Sequence, residues 1–389
     1  MTGLPPLTLY LHTPFCRRKC PYCDFRSSAV NTAPEQRYLA AVKQELQMRR
    51  RQLSGDTRPL QAIFLGGGTP SLLASATIAG YLEAIVALWP LVPDCEITLE
   101  ANPESATLEK MRDWRQMGIS RLSLGVQALA ADRLRFLERP HDLERARSAI
   151  RHAQQVGFPA LSLDLIYATP GQTPLAWETE LTEAMAWAPE HLSCYQLTIE
   201  PGTPFFARNR SGDWPAMGEE MEARLFQQTR SQLAAGGWMA YETSNFAQPG
   251  FACRHNRNYW SFGDYLGIGA AAHGKRTDPE GKIWRSRNPD AAEAYMARME
   301  QGASLASMLE EQLVTAAEAG REALLMGLRH DAGVNLPLYR QLSGEDLLQR
   351  HALRIAHWQE AGFVRLEQEQ LRLTEQGAPL LDAILLELI

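Results

Sequence analysis

Between residues 8 and 199, short runs rich in apolar and β-branched residues alternate with longer stretches whose apolar positions recur every three or four residues. That alternation limits the fold more than any other feature of the chain. The strand-like runs cover 8–12, 62–65, 96–100, 121–126, 161–166 and 191–199, and the helical pattern covers 35–53, 78–88, 108–117, 143–156 and 176–187. Gly118 and Gly157 stand just past two of these helices, and Pro34 and Thr107 at the starts of two others, where stops and starts belong. Units of this kind connect through right-handed crossovers, so the chain is expected to be α/β, with a partial (β/α)6 barrel of parallel strands. In such barrels the reacting groups sit where strands end. Gly66-Gly67-Gly68-Thr69 follows the second run, Glu100 ends the third, Gln127 follows the fourth, and Asp164 lies inside the fifth. Taken singly, each has an ordinary explanation as a tight turn or a local cap. Several near one rim point to a shared ligand site.

The pattern changes near residue 213. Residues 1–212 are therefore assigned to the barrel, 213–308 to a helical and irregular connecting region, and 309–389 to a C-terminal helical, winged-helix-like domain. The last carries 363–366 and 370–373 as a short hairpin before a final helix. Winged helices often bind DNA, but this one has no basic recognition helix. The 39 Lys and Arg against 45 Asp and Glu give a net charge of −6, so nucleic acid is not expected as a partner. The first residues, MTGLPPLTLYLHTPF, show no basic leader before an apolar segment, and no apolar stretch is long enough to span a bilayer. A cytoplasmic protein is expected, its oligomeric state left open.

Three of the six cysteines fall within eight residues, as Cys16-Arg-Arg-Lys-Cys20-Pro-Tyr-Cys23. In a reducing compartment that clustering points to metal rather than to disulfides. A closed structural zinc site or an electron-transfer cluster takes four protein ligands, whereas three thiolates leave one iron of a cube open. Arg17, Arg18 and Lys19 are expected to lower the thiol pKa values and to offset the cluster's negative charge. Zinc, with His12, Cys95, Cys194 or Cys253 as fourth ligand, is the alternative.

The C-x-x-x-C-x-x-C loop with Tyr22 before its last cysteine, together with Gly-Gly-Gly-Thr-Pro, resembles the radical S-adenosylmethionine (SAM) superfamily. The resemblance implies a [4Fe-4S] cluster on Cys16, Cys20 and Cys23. It also implies one-electron cleavage of bound SAM to a 5′-deoxyadenosyl radical. Over almost its whole length the chain is similar to the coproporphyrinogen oxidase-like group, through LYLHTPFCRRKCPYCDF, IFLGGGTPSLL, ITLEANPE, RLSLGVQ, LDLIYATPGQT, YQLTIEPGTPF, YETSNFA and HNRNYW. By that resemblance the SAM contacts are Tyr10, Tyr22, Gly67, Gly68, Thr69, Glu100, Gln127, Arg139 and Asp164.

Two functions are compatible with the group. The oxygen-independent oxidase, which decarboxylates coproporphyrinogen III propionates, carries a further cysteine two residues after the third, where this chain has Phe25, and a longer N-terminal segment. The heme-chaperone branch has the CPYCDF form, a short N-terminus and an H-N-x-x-Y-W motif, here residues 255–260. The second resemblance implies heme as ligand and its transfer to an acceptor such as a membrane-associated respiratory protein. His255 and Tyr259 are then the candidate heme contacts, since imidazole is an axial ligand for iron and aromatic faces pack against a macrocycle. Cys253 and His273 are alternative iron ligands. A radical methyltransferase or a porphyrin ring-opening enzyme is a third possibility, but no methyl-acceptor cysteine or accessory domain is recognisable.

Overall fold

The computed structural model describes residues 3–389. All six expected strands are present: β1 Leu7–Thr13, β2 Leu60–Gly67, β3 Leu91–Ala101, β4 Arg121–Gln127, β5 Ala160–Tyr167 and β6 His191–Gln196. They pair in parallel and in chain order. Strands covered on both faces read as continuous apolar runs, and β4, with six of its seven residues buried, is an example. Three of the covering helices begin on side-chain caps: Thr107 accepts from Lys110 N, Asp142 from Arg145 N, and Thr173 from Ala176 N. Gly157, with φ +72°, ends the helix Leu143–Val156 as expected.

The stretch 213–308, expected as helix and irregular connection, holds the helices Glu219–Ala235, Arg254–Trp260 and Ala292–Glu300 and also adds strands to the sheet. β7 Asn245–Ala247 runs antiparallel beside β6, and β8 Asp264–Ile268 runs parallel beside β1. Antiparallel strands β9 His273–Thr277 and β10 Ile283–Arg287 follow outward from β8, and β11 Glu310–Leu313, from the segment expected in the C-terminal domain, pairs with β10 in the same sheet. Together with Met239–Ala240 beside β7, these make a twelve-stranded open sheet. β8 escapes notice in the sequence because it opens on an acid, Asp264. In the fold that acid is wholly buried against Lys275 Nζ at 2.9 Å and Arg58 Nη1 at 2.8 Å.

The C-terminal part has a separate apolar core built on Leu324, Leu328, Tyr339, Ile355, Leu371 and Ile384. Its first helix, Ala316–Arg329, starts on a Thr315/Glu318 capping box. The hairpin β12 Val364–Glu367 and β13 Gln370–Leu373 is joined by Val334–Asn335, so the wing has three strands. No helix among the described residues is long and apolar enough to cross a membrane.

Candidate cofactor site

The loop leaving β1 carries Cys16, Cys20 and Cys23, all free thiols. It is folded by its own backbone, Cys23 N donating to Cys20 O at 3.1 Å, and is tied to a distant helix where Phe205 N donates to Pro21 O at 3.0 Å. Burial pushes the Cys23 thiol up to about 11, and the neighbouring Cys20 and Cys16 add to the shift. The basic run does not serve as expected throughout: Arg18 turns outward to Glu138. The cation against a sulfur is Arg139, whose Nη1 lies 3.2 Å from Cys20 Sγ. Its other contacts are Tyr22 Oη at 3.3 Å, Asn102 Oδ1 at 2.6 Å and Gly125 O at 3.2 Å, while its buried Nε has no partner.

The glycine turn after β2 lies against this loop. Gly68 N donates to Thr13 O at 2.7 Å, and a Cβ on Gly68 would stand 2.7 Å from Phe15 O and 3.0 Å from Cys16 Sγ. Gly67 has φ +110°, and a Cβ there would stand 2.5 Å from the His12 ring. Thr69 Oγ1 donates to Cys16 Sγ at 3.5 Å and accepts from Asn102 Nδ2 at 3.2 Å.

Two carboxyls face the same space, Glu100 from the end of β3 and Asp164 from within β5, with β4 between them. Glu100 Oε2 accepts from Gly67 N at 3.0 Å, yet burial, with Asp164 nearby, pushes its pKa up to about 8. Asp164 is also shifted upward by burial, against the lowering effect of the Ser193, Ser123 and Ser162 hydroxyls and of Arg139. Gln127 ends β4 with φ +68°, a left-handed conformation uncommon outside glycine.

A cavity of about 600 Å³ joins these groups. Its lining includes Cys16, Cys20, Cys23 and the predicted Tyr22, Gly67, Gly68, Thr69, Glu100, Gln127, Arg139 and Asp164. Tyr10 is not part of the lining; its hydroxyl bonds His12 Nδ1 at 2.9 Å, and its ring stacks on His255 at 6.1 Å. None of the candidate fourth zinc ligands lines the cavity. His12 has both ring nitrogens engaged, and Cys194 and Cys253 are buried in apolar clusters. Among the described residues no three His, Cys, Asp or Glu side chains converge as around a single ion.

His255 and Tyr259 line a neighbouring cavity of about 300 Å³, which shares Tyr195, Thr243 and Ser244 with the larger one. His255 Nδ1 meets Thr8 Oγ1 at 3.1 Å, and burial lowers the ring's pKa to about 4, which keeps it neutral. Cys253, the alternative ligand, packs with Tyr241 and Ala247 and does not line this cavity; nor does His273. Sequence reasoning missed Asn102, Ser123 and Asp382 in the larger lining. Asn102 follows Glu100 at the end of β3, a position that could have exposed it, whereas Asp382 arrives from the C-terminal helix with no local signal.

Residues 10–182 match the radical SAM superfamily, and residues 314–380 match the HemN C-terminal domain. Fold and site together define a radical SAM protein with a HemN-type C-terminal module. The chain is 40% identical to the heme chaperone HemW of Escherichia coli over 299 residues, 76% of this chain and 77% of that one. It is 34% identical to HemW of Mycobacterium tuberculosis over 387 residues, 99% and 95% of the two chains. Identity is also 34% to the mitochondrial radical S-adenosyl methionine domain-containing protein 1 of Bos taurus over 401 residues, 100% of this chain and 88% of that one. Coproporphyrinogen III oxidase (HemN) of Escherichia coli shares the fold, with a TM-score of 0.81 at 24% identity over 99% of this chain and 90% of its own. The chain belongs to the HemW family of the radical SAM superfamily. That membership implies a [4Fe-4S] cluster and SAM.

Proposed function

We propose that this chain is a cytoplasmic heme chaperone. In this reading it holds a [4Fe-4S] cluster on Cys16, Cys20 and Cys23, binds SAM in the adjoining cavity, and carries heme to an acceptor protein. The observation that carries the first part is the opening of three free thiols and of polar groups from four neighbouring strands, β2 to β5, onto one cavity of about 600 Å³. Arg139 and Thr69 reach Cys20 and Cys16 as sulfur-facing donors, as suits thiolates that ligate a cluster. A cluster with one iron free of protein sulfur supplies single-electron chemistry to a coordinated sulfonium.

The residues of the chain do the rest. Glu100 and Asp164 face the ribose hydroxyls, and burial holds the pKa of both carboxyls above the ordinary carboxylate range. Arg139 keeps Nε–H without a partner for the carboxylate of the methionine moiety. Gly67 and Gly68 bring backbone close to that moiety in a turn whose packing against His12, Phe15 and Cys16 leaves no room for a Cβ, and Thr69 follows them on the same lining. Tyr22 and Gln127 bound the adenosine side.

The heme assignment rests on the relatives named heme chaperone HemW and on a neutral imidazole, His255, lining a cavity beside Tyr259 and Trp260. Phe25, 58% exposed on the lining of the larger cavity, stands where the oxidase reading needs a thiol. Anaerobic reconstitution followed by heme titration of wild type and His255→Ala, alongside incubation with coproporphyrinogen III and SAM, tests the reading. Heme binding weakened about tenfold in the variant, with no vinyl product, is expected. Vinyl-porphyrin product would overturn the chaperone reading, and unchanged heme affinity would remove His255.

A further inference from the structure

His191 and Tyr241 take no part in the function proposed above, although both are polar rings inside the barrel and each is only 3% exposed. They form the middle of a continuous series of contacts. Asn256 Nδ2 lies 3.1 Å from Tyr241 Oη, which lies 2.9 Å from His191 Nε2. His191 Nδ1 lies 2.8 Å from Ser162 Oγ, which lies 3.4 Å from Asp164 Oδ1. With Asp164 ionised, one assignment gives every contact its own hydrogen. Asn256 donates to Tyr241, Tyr241 to His191 Nε2, His191 through Nδ1–H to Ser162, and Ser162 to the carboxylate. The opposite tautomer leaves the Tyr241 hydroxyl without an acceptor and Asp164 without the Ser162 donor. The assignment needs a neutral ring, and burial, with the nearby Arg121 charge, holds the His191 pKa well below its ordinary value.

We infer that His191, Tyr241 and Asn256 are positioning residues for the Asp164 carboxylate, so that the HNRNYW helix is hydrogen-bonded to the nucleoside end of the neighbouring cavity. The inference rests on the assignment of Asp164 as a contact to ribose hydroxyls. The two ends of the series open on different spaces: Asp164 lines the cavity of about 600 Å³, and Asn256 lines the one of about 300 Å³ beside His255. His191 and Tyr241 line neither. Deleting a hydroxyl between them is therefore read out at a ligand it does not touch.

The test uses the full chain with its cluster reconstituted, and S-adenosylhomocysteine as the calorimetric probe. Tyr241→Phe removes one hydroxyl and keeps the ring; Asn256→Ala removes the far donor. Each is expected to weaken probe binding about three- to tenfold, the effect of one lost hydrogen bond. In an Asp164→Ala background the same changes should have less than about a twofold effect, because the group they orient is gone. Cluster absorbance and melting midpoint identify a variant that fails to fold, in which case the other variant decides. Wild-type binding in both variants, or equal weakening with and without Asp164, overturns the inference. Asp164→Ala alone binding as tightly as wild type removes the ribose assignment, and the positioning role with it.

Discussion

Arg139 Nη1 lies 3.2 Å from Cys20 Sγ across 119 residues of chain. The same guanidinium reaches Asn102 at the end of β3 and Gly125 in β4. A cation is thus fixed between the cysteine loop and two strand ends, where a thiolate-ligated cluster would place negative charge.

Loss of any one of Cys16, Cys20 or Cys23 to Ser should abolish most of the iron, sulfide and visible absorbance of the anaerobically reconstituted protein. Cys194→Ser and Cys253→Ser should retain them, since these thiols are buried in apolar packing away from the cavity. Equal iron content in all five variants would contradict the proposed ligand set.

The ligand-free chain should lose stability as pH rises. Glu100 titrates near 4.5 when unfolded and near 8 when folded, mainly through burial. The folded state therefore holds the extra proton, and the stabilisation present below pH 4.5 is lost as pH climbs towards 8. Glu100→Gln should flatten that slope, by a few kcal/mol at most. Melting midpoints of both proteins across this range check it; parallel curves would exclude the effect.

Gly67→Ala forces a side chain into φ +110° and against His12. Backbone strain of this kind costs on the order of 1–3 kcal/mol. Chemical denaturation should show the loss, and SAM affinity should fall with it because the turn cannot keep its approach to Glu100.

Asp264→Asn should destabilise the chain by about 3–5 kcal/mol, because Lys275 and Arg58 would be left without their buried counter-charge. A change near zero in urea unfolding would mean that β8 does not depend on this acid to stay seated beside β1.

The six parallel strands, the caps at Thr107 and Gly157, and the cysteine loop were all legible because each is written locally: a period, a breaker residue, a ligand spacing. β8 was not, because its acid becomes compatible with a buried strand only once Lys275 and Arg58 arrive from elsewhere. Arg139 could be named by resemblance as a SAM contact, but not its contact with Cys20, and Tyr10, named in the same way, meets His12 and His255. Asp382 carried no sign of its destination. Sequence by itself determined the six parallel strands and their covering helices and that three thiols sit on one loop, since these follow from neighbours a few residues apart. Which charges meet, which polar rings join end to end, and which residues share a cavity were decided only by the tertiary structure, because burial and electrostatic pairing depend on groups brought together from far along the chain.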